Sequence, residues 1–423
     1  MNKFLQIFKI PDLRKKVLMV LFLLLVFRAL AAIPIPGIDS LRLDEFLSSN
    51  QLFGFLNIFS GGGLSNLSIM MLGVGPYITA TIIMQLLTII FPNLKKAYYE
   101  EGAEGKAKFN RYSRYLTVPL AMISSYGFLN LLGSQGVIGN LSLVDVLGNV
   151  VVITAGSILL MWIGELISEY KIGNGISLII FAGIVSSLPQ MVATSVLNYT
   201  ADMLPTYFSF IILSIIVIAG VVFITEGERK IPVAYAKRVR GNKMYGGVST
   251  YLPLRVNQAG VIPIIFAISI LLFPQFFAQA AALISPDFSL KINEIVNGFF
   301  NNVIYYSIAY FFLVVIFTYF YTAITFDPEE IAKNLQRSGG FIPGIRPGPA
   351  TTAMISKVVK RITLFGALFL GVIAILPNVT QIITGIQALA IGGTSLLIVV
   401  AVALEIMKQI ESQLTVREYE GIL

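Results

Sequence analysis

Ten apolar stretches of membrane-spanning length govern what this chain can become. They run near residues 17–35, 68–91, 115–132, 150–166, 176–197, 207–225, 259–283, 303–326, 362–377 and 383–407. A bilayer core needs roughly 17–25 apolar residues of helix to cross it. Every stretch is rich in Leu, Ile, Val and Phe, and none alternates with period two. A transmembrane barrel would show that alternation, so helices are the remaining spanning form. The expected fold is an all-α membrane protein of ten transmembrane helices. Composition agrees, because 12% charged residues is half the share of about 25% that a soluble domain carries.

What the chain lacks narrows its chemistry. It has no Cys and no His, which removes thiolate nucleophiles, disulfides, imidazole bases and the usual zinc sites. Aspartate-based chemistry would need carboxylates inside the apolar stretches, yet nearly all of the 22 acidic residues lie near their ends. An intramembrane protease would need a Ser–His pair or a Gly-x-Gly-Asp motif, and the sequence has neither. An enzyme, a cofactor and a metal site are therefore not expected.

The basic residues set orientation. Of 30 Lys and Arg, 27 fall in the amino-terminal segment, the tail and alternate loops, while the opposite loops hold only Arg42 and Lys291. The positive-inside rule then puts both termini in the cytoplasm. The first stretch imitates a secretory signal, with Lys15-Lys16, an apolar run and Ala29-Leu30-Ala31. Arg28 stands where cleavage needs a small or neutral neighbourhood, so an uncleaved helix is expected. Ten spans with both ends inside divide at the external 198–206 loop into five-helix halves, residues 1–200 and 201–423. An odd number per half makes the second inverted relative to the first, an arrangement of many transporters and channels.

Before the second long stretch the chain breaks at Ser60-Gly61-Gly62-Gly63. Three readings suit this break. It is a surface helix with a linker, a phosphate-binding loop, or a re-entrant segment inside a cavity. No Lys-Ser or Lys-Thr follows the glycines, which excludes the phosphate loop. A re-entrant segment is allowed only where protein or water surrounds it.

The surrounding motifs carry a resemblance. Phe59-Ser60-Gly61-Gly62-Gly63-Leu64-Ser65 is followed by Leu72-Gly73-Val74-Gly75-Pro76-Tyr77-Ile78-Thr79-Ala80, then by Ile172-Gly173-Asn174-Gly175-Ile176-Ser177. Pro253-Leu254-Arg255-Val256-Asn257, Gly260-Val261-Ile262-Pro263, Asp327-Pro328 and Gly392-Gly393-Thr394-Ser395-Leu396-Leu397-Ile398-Val399-Val400 complete the set. Together and in this order they resemble the SecY family, the central subunits of protein-conducting channels.

The resemblance implies a central pore between two inverted halves, in the bacterial cell membrane. It places a constriction on Val74, Ile78, Ile176, Ile180, Ile265 and Ile398. A narrow aliphatic ring suits such a pore, since it dewets and offers cargo no strong site. It makes residues 53–66 a plug, with Phe59, Gly61, Gly62, Gly63 and Leu64 at its glycine-rich part. Some members carry an arginine near the end of the plug, where this chain has Asn66. It places a lateral gate between the second and seventh helices. There Pro263 interrupts one helix, and Gln85 and Ser269 are expected to make polar contacts. It assigns docking of the ATPase SecA and of the ribosome to the basic loops 226–258 and 327–361, with Arg238, Arg240, Arg255 and Arg346. It further implies SecE as a clamp, SecG as a small subunit, and signal peptides and unfolded preproteins as cargo, some released sideways into lipid. Within the second loop, Asp327-Pro328-Glu329-Glu330 predicts a helix start.

A secondary transporter with inverted repeats is the competing reading. Its coupling ions would call for ionisable residues at midplane, and Arg28, Glu165 and Glu405 are the nearest candidates.

Overall fold

The computed structural model describes residues 10–35, 57, 60–64, 66–99, 101–134, 138, 142–197, 204–235, 238–240, 243–245, 250–281, 286–384 and 387–420. Each of the ten apolar stretches holds a helix. In chain order the helices are α1 (Pro11–Leu30), α2 (Gly75–Ile90), the short α3 (Pro92–Tyr99), α4 (Gly102–Ser134), α5 (Leu143–Glu169), α6 (Gly175–Leu197) and α7 (Leu204–Glu226). Strands β1 (Glu228–Tyr235), β2 (Arg238–Arg240), β3 (Lys243–Tyr245) and β4 (Thr250–Arg255) follow. Then come α8 (Ile262–Ala281), α9 (Pro286–Asn301), α10 (Val303–Thr325), α11 (Pro328–Arg337), β5 (Gly340–Phe341), α12 (Pro349–Thr384) and α13 (Gln387–Glu420). Among the described residues, four helical stretches are long and apolar enough to cross a membrane, within 143–169, 207–226, 303–337 and 349–382.

Several helix boundaries differ from those the apolar runs suggest. Helix α1 begins at Pro11, whose fixed φ suits a first helical turn, and ends at Leu30 rather than near 35. Helix α2 starts only at Gly75, and residues 66–74 form consecutive turns and a bridge instead of its first two turns. They are pinned from outside. Ile35 N bonds Leu67 O at 2.9 Å and Ile69 N bonds Ile33 O at 3.1 Å, while Ser157 of α5 donates its hydroxyl to Gly73 O at 2.9 Å. Gly156 lets the turn approach, since a Cβ there would strike Ile69 O. Helix α9 was not visible as a span. Its Val296 and Phe300, four apart, are buried while Phe288 and Ile295 are exposed, so it is an amphipathic surface helix.

The all-α expectation is corrected by a small sheet of order β4-β1-β5 and a β2–β3 hairpin. Strand β1 pairs antiparallel with β4 over Glu228↔Arg255 to Val233↔Thr250. It then pairs with β5 through Ala234↔Phe341 and Tyr235↔Gly340. The two basic loops are therefore one body. Ile231 and Val233, on one face of β1, are buried, and Ile231 packs with Leu254, Ile342, Ile355 and Val359. That alternation was the available sign of a strand. The anticipated helix start is present: the Asp327 carboxylate accepts from Glu329 N at 2.8 Å and Glu330 N at 3.3 Å.

The long helices close on themselves. Helix α2 packs on α8, α8 on α10, α10 on α12, α12 on α13, α13 on α6, α6 on α5, and α5 on α2. This circuit encloses the largest apolar cluster of the molecule.

Candidate pore and its closure

The four helices α2, α6, α8 and α13 carry the six aliphatic residues singled out in the sequence. Val74, Ile78, Ile180, Ile265 and Ile398 are buried, Ile176 is partly buried, and all six belong to one apolar cluster. Val74 is the N-cap of α2, and its carbonyl accepts from Ile78 N at 3.0 Å. That bond stacks the two side chains on one side of the helix. Asn174 orients the second pair, because its side-chain oxygen caps α6 by accepting from Ile176 N at 3.0 Å and Ser177 N at 3.3 Å.

Above this cluster lies a cavity of about 430 Å³. Ile78, Ile176 and Ile265 contribute apolar lining, whereas Gln85, Asn110, Arg114, Glu165, Ser168 and Asn174 make its walls polar. Arg114 Nε meets Glu165 Oε1 at 2.7 Å, so this carboxylate is paired rather than poised for ion coupling. The cavity thus brings polar side chains beside branched aliphatic residues of α2, α6 and α8, which offer an ion no ligand.

The glycine-rich segment lies between α1 and α6. Phe59 lies outside the described residues, whereas Gly61, Gly62, Gly63 and Leu64 are described. Ser60 accepts from Leu64 N at 3.0 Å through its hydroxyl, which itself donates to Asn57 O at 2.9 Å. Gly61 and Gly62 have φ of +65° and +81°, a region where a side chain is strained. Leu64 points into the main apolar cluster at 1% exposure. Arg28, at the end of α1, donates from Nη1 to Gly61 O at 2.8 Å. Sequence reasoning took Arg28 as an argument against signal cleavage and as a candidate coupling residue of a transporter, and did not foresee this contact. Its sequence signal was weak, namely one cation inside an apolar run.

Two expectations for the α2–α8 contact are corrected. Pro263 does not interrupt a helix. It is the second residue of α8, where the missing N–H would have no helical acceptor anyway, and the proline inside this helix is Pro274. Gln85 and Ser269 do not bond each other either. Ser269 gives its hydroxyl to Ile265 O of its own helix at 2.9 Å, and Gln85 Oε1 is buried without a partner among the described residues. A serine inside a helix readily bonds the preceding turn, so its donor was already used. Both residues are nonetheless buried where α2 meets α8.

The basic residues of the two loops separate into distinct settings. Arg238 and Arg240 are the ends of β2, opposite Tyr245 and Lys243. Arg255 ends β4 with its Nε 3.9 Å from Glu228 Oε1, so it is partly engaged. Arg346 is exposed on a rigid tip. Gly344 and Gly348 have φ of +82° and +103°, Ile345 N bonds Ile342 O at 3.0 Å, and Thr351 donates to Arg346 O at 2.9 Å.

Comparison with known proteins matches this architecture. The SecY family model matches residues 68–407. Among curated relatives, the protein translocase subunit SecY of Streptomyces galbus is 43% identical over 439 residues, covering 100% of both chains. The subunit of the same name from Thermus thermophilus is 43% identical, covering 98% of this chain and 96% of its own. A solved structure described as that of a protein conducting channel aligns with a TM-score of 0.65 at 21% identity, over 93% of this chain and 90% of the other. Sec61 in a canine ribosome-channel complex aligns with a TM-score of 0.60 at 19% identity, over 93% and 90%. With a family model spanning most of its length and relatives this similar from end to end, the chain belongs to the SecY family.

Proposed function

We propose that this multi-pass membrane protein is the pore subunit of a protein translocase, passing unfolded secretory chains across a bilayer. The carrying observation is the cavity in which polar side chains meet Ile78, Ile176 and Ile265, bounded by helices of the closed circuit. Its work is conduction rather than catalysis. In this reading all ten long helices cross the membrane, in two inverted halves of residues 1–200 and 201–423. The six aliphatic residues then form the ring, the segment 53–66 is the plug, and both termini lie in the cytoplasm of a bacterium. Family membership supports SecE and SecG as small partners. The exposed Arg346 tip and the sheet that joins both basic loops suit docking of SecA and the ribosome. Contact between α2 and α8 suits a gate through which signal sequences and membrane segments reach lipid.

The test is reconstitution of the chain with its small partners in vesicles holding matched amounts of channel. ATP-dependent import of a preprotein by added SecA is the expected result. Saturable small-solute uptake without preprotein movement would establish the transporter reading instead. That reading has lost one support, because Glu165 is held by Arg114.

A further inference from the structure

Two contacts join the glycine-rich segment to α1 and to α6, the latter a helix of the circuit. Arg28 reaches from α1 and donates to the Gly61 carbonyl at 2.8 Å. Its Nη1 is also the nearest atom, at 3.3 Å, to a Cβ built on Gly62. On the opposite side, Gly61 lies against Gly183 of α6, backbone to backbone. A Cβ added to Gly183 would fall on Gly61 Cα. A Cβ added to Gly61 would fall on Phe27 Cζ and lie 3.3 Å from Gly183 Cα. Phe27 has no exposed surface and cannot readily yield. Gly61 is thus held between Phe27-Arg28 and Gly183.

Position gives these contacts their meaning. Gly183 follows Ile176 and Ile180 on α6 by seven and three residues, so it lies on nearly the same face of that helix, about one turn further along. A guanidinium within an apolar helix is costly to keep unless it has a specific partner. A charge-assisted bond to a backbone carbonyl supplies one, independent of the side chain at that position. The carbonyl is available because Gly61 and Gly62, at φ +65° and +81°, turn the chain there.

We infer that Arg28 and Gly183 are positioning residues that seat the plug on the pore: Arg28 draws the Gly61 carbonyl to α1, and the bare backbone at Gly183 lets the plug settle against α6 about one helical turn beyond Ile180. The inference rests on the plug reading of this segment. It makes α6 both a wall of the constriction and the floor of the seat, so displacement of α6 loosens both.

The experiment compares single channels in planar bilayers, at matched channel amounts, across Arg28→Gln, Arg28→Lys, Gly183→Ala and a deletion of residues 57–66. Arg28→Gln should raise the resting open fraction about tenfold or more, as loss of one charge-assisted hydrogen bond moves a two-state equilibrium, and Gly183→Ala should raise it by a comparable factor because its Cβ would overlap Gly61 Cα. Arg28→Lys, which keeps a cationic donor, should restore most of the closure. On the deletion background neither variant should add further leak, because the seat has nothing to hold. Gly61→Ala probes the same contact from the other side, should Gly183→Ala alter α6. Leak from the deletion with wild-type closure in both variants would overturn the seat and leave the plug reading standing. Added leak on the deletion background would assign these residues to the ring instead. A deletion that conducts like wild type would overturn the plug reading itself.

Discussion

The Arg114 guanidinium and the Glu165 carboxylate meet at 2.7 Å across α4 and α5, on the wall of the vestibule. The glutamate side chain is 19% exposed and the arginine 49%, so the pair is shielded on one side and wet on the other. Such a bond ties α4 to α5 without a large gain in stability, typically ~1 kcal/mol or less. Glu165→Gln and Arg114→Gln should each lower thermal stability slightly. The double variant should be less impaired than the sum, which a double-mutant cycle on the purified channel would measure. Strictly additive losses would mean that the two side chains act apart.

Polar substitution in the aliphatic constriction should leak. Ile78→Asn, Ile180→Asn and Ile398→Asn each place an amide at a residue only 0–4% exposed among apolar neighbours. Water then enters a zone that dewetting kept dry. Resting conductance should rise and signal-sequence discrimination should relax in all three. Unchanged conductance and unchanged export specificity across the set would remove these residues from the constriction.

Removal of a buried, unpartnered acceptor should tighten the α2–α8 contact. Gln85 Oε1 has no hydrogen-bond partner among the described residues, a deficit typically worth about 1–3 kcal/mol. Gln85→Leu is therefore expected to favour the closed gate and to slow export, most of all for cargo with weakly apolar signals. Faster export would show that the amide instead supports the closed state. Because the chain has no Cys, paired cysteines at facing positions near Gln85 and Ser269 can lock the same contact, and the lock should block most cargo.

The Arg346 tip should be sensitive to charge and to shape. Its frame of Gly344, Gly348 and the Thr351 bond directs one cation outward, and guanidinium offers a planar fork that lysine lacks. Arg346→Glu should abolish SecA-driven export and Arg346→Lys should reduce it, with membrane insertion normal. Wild-type export by the glutamate variant would show that the tip is not a contact.

The joined loops have a core of their own. Ile355 has no exposed surface and packs with Ile231 and Leu254, so Ile355→Ala should cost about 2–5 kcal/mol in that local core. Faster protease cleavage of the cytosolic face and weaker SecA-driven export are expected, while the vestibule and its resting closure stay unchanged.

The helices were legible because apolar runs of this length have little choice. Their starts were not. The first turns assigned to α2 are replaced by residues 66–74, since Ile33, Ile35 and Ser157 supply backbone partners that no local pattern reveals. Strand β1 was hidden by Pro232 and by a run of charges, although Ile231 and Val233 kept the strand period. The aliphatic residues around the cavity came from motif placement, because an isoleucine facing a pore and one facing lipid look alike in sequence. Arg28 and Gly183 depend on contacts 33 residues apart or more, beyond the reach of any spacing rule.

The pairing of Tyr235 with Gly340 has a mechanical consequence. Strand β1 leaves α7 almost directly, at Glu226 and Glu228, and α12 departs from the Arg346 tip at Pro349 as a 36-residue helix. A 36-residue helix is about 54 Å long, a lever rather than a tether. A protein that grips the tip therefore loads α7 through the sheet and α12 through its first turn at once. Force applied at the tip arrives together at α12, a member of the circuit, and at α7, which packs against α12 and α13 from outside it.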